Sequence, residues 1–165
     1  MVREMKISGL TMDPQTNTPI VVLKDLKNET SLPIWIGLLE ATAIATELEQ
    51  IKFPRPMTHD LMKNLMTHVG ITVDRVEVCD LRDNTFYAWI YLNIKGKESK
   101  IDARPSDALA IALRMNARIF VNEKVIERSA KIESKGKAEI HDEEAKKWTE
   151  ILENLSPDDF GKYKM

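Results

Sequence analysis

The sequence predicts an α+β domain made of two related βββα units, an internal duplication sharing one mixed or antiparallel sheet, with a further helix at the C-terminal end. Three observations carry that expectation. Alternating apolar runs separated by turn-rich segments occur in two groups of three. Each group is followed by an Ala-rich run whose apolar residues recur at three- and four-residue steps, the period of a half-buried helix. Residues 19–48 also lie over 86–115 without a gap, placing "IWIGLLEATAIATEL" on "IDARPSDALAIALRM", Ile34 on Ile101 and Glu40 on Asp107.

The elements follow in order. "REMKISGLTM" (3–12) alternates roughly and runs into the turn-rich "DPQTNTP". "IVVLKDL" (20–26) and "SLPIWIG" (31–37) read as strands joined by the turn "KNET". Over 38–51, Leu38, Ala41, Ile44, Ala45, Leu48 and Ile51 mark one helical face. After "KFPRP" a second helix is expected, with Thr58 as N-cap, Leu61, Leu65 and Met66 as its apolar stripe, and Gly70 just past its end. The pattern then restarts. "ITVDRVEVCDL" and "FYAWIYLNI" flank the hairpin turn "RDNT", "KGKES" turns into the short strand "KIDA", and a helix spans 105–115. Pro105 suits its first turn, and Asp107 sets negative charge at the positive end of its dipole.

The end of the chain reads differently. "ERSAKIESKGKAEIHDEE" (127–144) is polar and is expected as an exposed strand or loop, and Trp148, Ile151, Leu152 and Leu155 form one stripe on a helix starting near Asp142. The domain division is therefore 1–127, a polar linker or edge segment over 128–141, and a helical tail over 142–165.

Composition bounds the function. With 165 residues, 43% of them hydrophobic, the chain can bury a full core. Its 24 basic and 26 acidic residues leave a net charge of −2, which disfavours non-specific coating of nucleic acid but leaves room for a local basic cleft. The one cysteine, Cys79, allows neither an internal disulfide nor a cysteine-based zinc cage, and reads as a buried strand residue. The first residues lack an apolar signal core, and no run approaches the ~20 apolar residues of a membrane span. A cytoplasmic protein is expected.

Two Arg-Pro pairs stand just before helices: "FPRPMTHD" holds Arg55, Pro56, Thr58, His59 and Asp60, and "DARPSDA" holds Asp102, Arg104, Pro105, Ser106 and Asp107. Helix N-termini offer free N–H groups and a positive dipole end, and a neighbouring guanidinium adds a fork that fits phosphate oxygens. Histidine is the side chain suited to moving protons near neutral pH, so His59 is the candidate proton carrier, with Asp60 beside it as the orienting acid. Glu40, Asp102 and Asp107 are candidate ligands for Mg²⁺ or Mn²⁺, which take carboxylate oxygens. The plainer account of the same residues makes Thr58 and Ser106 caps, Asp60 and Asp107 dipole partners, and each arginine an ion-pair partner. His68 falls at the end of the second helix and complements its C-terminal dipole. Basic and aromatic residues do not interleave along the chain, and the row Tyr87, Trp89, Tyr91 reads first as the core side of a sheet and second as a stacking face. If the two Arg-Pro segments meet in one cleft, a catalytic site has its geometry.

In this order and spacing, "LPIWIGLLEATAIA", "FPRPMTHDLM", "DNTFYAWIYL" and "IDARPSDALAIALR" closely resemble the bifunctional nuclease family, over about residues 5–127. The resemblance implies a small α+β domain, a homodimer, and cleavage of RNA and DNA. Its signature falls here on Glu40, Arg55, Pro56, Thr58, His59, Asp60, Asp102, Arg104, Pro105, Ser106 and Asp107. Two readings follow. The first is a nuclease assisted by Mg²⁺ or Mn²⁺, in which His59, Asp60, Arg55, Arg104 and Asp107 act on the phosphodiester and Glu40, Asp102 and Asp107 hold the cation. The second is a non-enzymatic dimeric module whose Arg-Pro junctions recognise a phosphorylated ligand or an acidic partner.

Overall fold

A computed structural model describes residues 1–134. The tail over 142–165, and the linker beyond Ser134, lie outside the described residues.

Eleven elements follow one another: β1 (Val2–Met12), β2 (Pro19–Asp25), β3 (Ser31–Trp35), α1 (Leu38–Leu48), α2 (Thr58–His68), β4 (Ile71–Arg82), β5 (Thr85–Ile94), β6 (Lys97–Ala103), α3 (Pro105–Met115), β7 (Arg118–Asn122) and α4 (Glu123–Glu133). The strands form one seven-stranded sheet in the order β3-β2-β1-β7-β4-β5-β6. Each group of three is an antiparallel meander, because short turns connect neighbouring strands directly. The turn between β4 and β5 shows why: Asp83 and Asn84 both take left-handed conformations, φ 48° and 57°, which match the twist of a hairpin. Strand β7 enters the middle of the sheet, antiparallel to β1 and parallel to β4, and makes the sheet mixed.

The βββα order occurs twice, and α1 and α3 occupy the same positions at the offset of 67 on which Glu40 overlies Asp107. Helix α3 is the centre of the helical layer: Ala108, Leu109, Ala110, Ile111 and Ala112 are all fully buried. It packs against α1 on one side and α2 on the other, and beneath it lie Val76, Val78, Ala88 and Ile90. The Ala-rich run allows both flanking helices to approach closely.

Several expectations need correcting. Leu61 and Leu65 of α2 do not face the core; they are 49% and 57% exposed, and only Met66 packs partly against it. Thr58 and Ser106 are not caps: Met57 and Arg104 hold those positions, and Asp60 accepts the Met57 amide instead. Tyr87, Trp89 and Tyr91 are half-buried and point away from the helices, because their alternates Ala88, Ile90 and Leu92 supply the core. The segment from Glu127 begins not as a strand or loop but as the second half of α4, whose Val125 and Ser129 are buried. Cys79 is half-buried, and burial pushes its thiol pKa up.

Candidate functional site at the helix N-termini

The N-termini of α1 and α3 are built alike. Gly37 and Arg104 are the N-caps, and Glu40 and Asp107 stand three residues on, in the first turn of each helix. Carboxylates at that position stabilise the positive ends of the helix dipoles. Arg104 serves both. Its Nε donates to Asp107 Oδ2 at 2.8 Å, and its Nη1 donates to Glu40 Oε1 at 3.0 Å. Gly37 leaves the room for this, since a Cβ there would collide with the Glu40 carboxylate. The guanidinium remains 65% exposed, and Nη2 has no acceptor among the described residues.

The second Arg-Pro segment joins here through its histidine. His59 Nε2 lies 2.9 Å from Asp107 Oδ1, so α2 and α3 meet at their first turns. The pKa of Asp107 is the resultant of opposed effects. Burial alone would raise it, but hydrogen bonds from Arg104 and His59 outweigh burial and hold the carboxyl below its ordinary value. The reciprocal hydrogen bond and charge of Asp107 raise the Arg104 pKa. An ionised carboxylate only accepts, so the ring nitrogen facing it carries the proton. That assignment leaves Nδ1 as the basic atom, with no hydrogen-bond partner among the described residues. The ring is only 12% exposed, and packing therefore fixes its orientation.

Asp60 does not orient His59. Successive side chains on a helix diverge, and Asp60 turns to α3 instead. Its Oδ1 accepts from Arg114 Nε at 2.7 Å and its Oδ2 from the Met57 amide at 3.0 Å. Arg114, 3% exposed, also donates to the Ala110 carbonyl, so Asp60 is the counter-charge of a buried guanidinium and the tie that seats α2 on α3. Burial would raise the Asp60 pKa, yet the hydrogen bond from Arg114, the Met57 amide and the Arg114 charge together lower it. The orienting acid of His59 is Asp107, 48 residues away. Arg114 escaped the sequence reading because it sits in the last turn of an apolar helix, where a cation is an ordinary dipole partner.

The other expected residues divide. Arg55 is exposed on the segment leading into α2 and makes no ion pair among the described residues. Asp102 pairs across strands with Trp89, on the sheet face turned away from the helices. It therefore does not converge with Glu40 and Asp107, whose carboxylates share Arg104 between them. Among the described residues no three His, Cys, Asp or Glu side chains gather as a ligand set. The expected trio Glu40, Asp102 and Asp107 does not fit one cation. No helix among the described residues is long and apolar enough to cross a membrane.

Comparison with known proteins adds a second line of argument. A family model described as the bifunctional nuclease domain matches residues 21–134. Two uncharacterized proteins from strains of Mycobacterium tuberculosis are 35% identical over 162 residues, covering 95% of this chain and 97% of theirs. Bifunctional nuclease 1 of Oryza sativa subsp. japonica is 27% identical over 116 residues, 68% of this chain and 35% of that protein. Bifunctional nuclease 2 of Arabidopsis thaliana is 29% identical over 94 residues, 55% of this chain and 29% of that protein. This chain thus matches about a third of each plant protein.

Proposed function

The chain belongs to the bifunctional nuclease domain family, and on that premise we propose that it hydrolyses phosphodiester bonds of RNA or DNA at the joined N-termini of α2 and α3. The observation that carries this reading is the His59–Asp107–Arg104 chain of hydrogen bonds. It supplies the parts such a reaction uses. His59 Nδ1 takes a proton from water as the water oxygen attacks phosphorus. Asp107 holds the ring and stabilises the imidazolium that forms. The free Nη2 edge of Arg104 and the exposed guanidinium of Arg55 receive the charge that develops on the phosphate oxygens. The P–O ester bond breaks, and the departing oxygen takes the proton that His59 gained. Glu40 positions Arg104 and does not touch substrate in this scheme.

Mg²⁺ or Mn²⁺ enters no step here, because the described carboxylates do not form its cage; dependence on either ion is an arm of the experiment. A second reading has one observation behind it. Glu40 and Asp107 are both already satisfied by Arg104, as a structural staple would be. Under it, the exposed Nη2 edge binds a phosphorylated ligand without chemistry.

The deciding measurement is cleavage of end-labelled RNA and DNA by protein free of host nucleases, in Mg²⁺, Mn²⁺ or EDTA. His59→Ala and Asp107→Asn are run beside it, with melting curves to show that they fold. Cleavage lost by at least a hundredfold in both folded variants supports hydrolysis at this site. Equal cleavage by all three proteins, or none by the wild type, refutes it.

A further inference from the structure

The sheet face turned away from the helices carries a row of cations that crosses strands and that no reading along the chain reveals. Lys24 of β2 pairs with Lys6 of β1. Met5 lies opposite Ile119, so one step outward Lys6 and Arg118 are neighbours. Arg118 pairs with Arg75, Arg75 with Tyr91, and Tyr91 with Lys100. Five cations thus stand at one level across six strands, about 24 Å at the usual strand spacing. Lys6, Arg118 and Lys100 are exposed and make no ion pair among the described residues, whereas Arg75 is paired with Glu98 at 3.1 Å.

Aromatic rings accompany the row. The Arg75 guanidinium lies 3.7 Å from the Tyr91 centroid, Lys100 Nζ 4.5 Å from that of Trp89, and Arg118 5.3 Å from that of Phe120. None of these rings is fully buried, and none belongs to the core. A flexible cation over an aromatic face is exchangeable: a nucleobase can take the ring while the cation moves to a phosphate.

We infer that this face binds single-stranded nucleic acid, its phosphates following the cationic row and its bases stacking on Trp89 and Phe120. The charge pattern selects a single strand. The next row outward holds Glu4, Phe120, Glu77, Trp89 and Asp102, so only one narrow track is basic. A duplex would press its second phosphate backbone toward those acids. A single strand places bases there, and carboxylates accept hydrogen bonds from exocyclic amino groups. This inference extends the nuclease reading to a class of substrate, but its test reads binding alone.

The test is fluorescence anisotropy of a 20-nucleotide fluorescein-labelled single-stranded DNA with the full chain in EDTA, over a salt series. The variants are Lys100→Ala/Arg118→Ala and Trp89→Ala, checked for folding by circular dichroism. Each should bind at least tenfold more weakly. Losing two phosphate contacts should flatten the double variant's log–log salt slope by about 1.4. The duplex of the same sequence should bind at least tenfold more weakly than the single strand. No binding by the wild type, unchanged affinity in folded variants, or a duplex bound as tightly overturns the inference. Binding that depends on Lys100 and Arg118 without any cleavage supports it and refutes only the nuclease reading. Cleavage with unchanged binding in the variants does the reverse.

Discussion

Arg104 donates to Glu40 at 3.0 Å across 64 residues of sequence, and the contact exists because the N-cap of the other helix is glycine. Gly37 and Arg104 are matched positions of the two βββα units: one leaves space, the other fills it with a guanidinium that both first-turn acids share. Gly37→Ala should therefore eject the Glu40 carboxylate from Arg104 while leaving the fold intact, since only the end of a flexible side chain must move. The exposed ion pair it breaks is worth at most about 1 kcal/mol, so urea denaturation should show a loss no larger than that. Under the nuclease reading, cleavage should fall in Gly37→Ala and in Glu40→Gln to a similar extent. A stability loss above ~2 kcal/mol would mean that the backbone at Gly37, not Glu40, gives way.

Asp60→Ala should be far more damaging. It leaves the buried Arg114 guanidinium without its counter-charge, a situation that typically costs about 3 kcal/mol or more. Removing both charges together, in Asp60→Asn/Arg114→Met, should recover much of that loss, because the penalty lies in the unpaired cation. Chemical denaturation of the three proteins checks this. A single variant as stable as the wild type would show that Arg114 finds water or another acceptor.

Acid should unfold the protein through the same carboxylates. Asp107 and Asp60 both have pKa values lowered in the folded state. Their contribution is therefore fully present above the unfolded value of about 3.9 and is lost as pH falls through the folded values. Melting temperature should hold steady between pH 7 and pH 5 as far as these two groups are concerned, then drop below about pH 4. Asp107→Asn should start lower and fall less steeply. Equal acid slopes in the two proteins would remove Asp107 from the linkage.

The comparison of sequence and structure turns on direction. Alternation and the offset of 67 locate both βββα units, since a period is visible in one dimension. Strand β7 is too short to show one, and α4 hides its buried Val125 and Ser129 among Glu, Lys and Arg. Adjacency in sequence pointed from His59 to Asp60, but the helix sends those two side chains apart and a different helix supplies the partner. The cationic row is formed across strands, where register decides and no window along the chain can find it.

The same limit explains α2, whose three- and four-residue spacing marks an apolar stripe without saying what covers it. Leu61 and Leu65 face outward, and so their substitution removes little buried area. Leu61→Ser/Leu65→Ser should change unfolding free energy by no more than about 0.5 kcal/mol per site at low micromolar concentration. Core truncation behaves otherwise: Leu109→Ala, in the fully buried α3, should cost about 2–5 kcal/mol. Urea unfolding of both, at two protein concentrations tenfold apart, checks the orientation. A loss at Leu61 and Leu65 that matches Leu109→Ala at both concentrations would place the α2 stripe inside the folded chain. A loss that grows as protein concentration rises would instead place it in contact with a second molecule, because mass action stabilises only what associates.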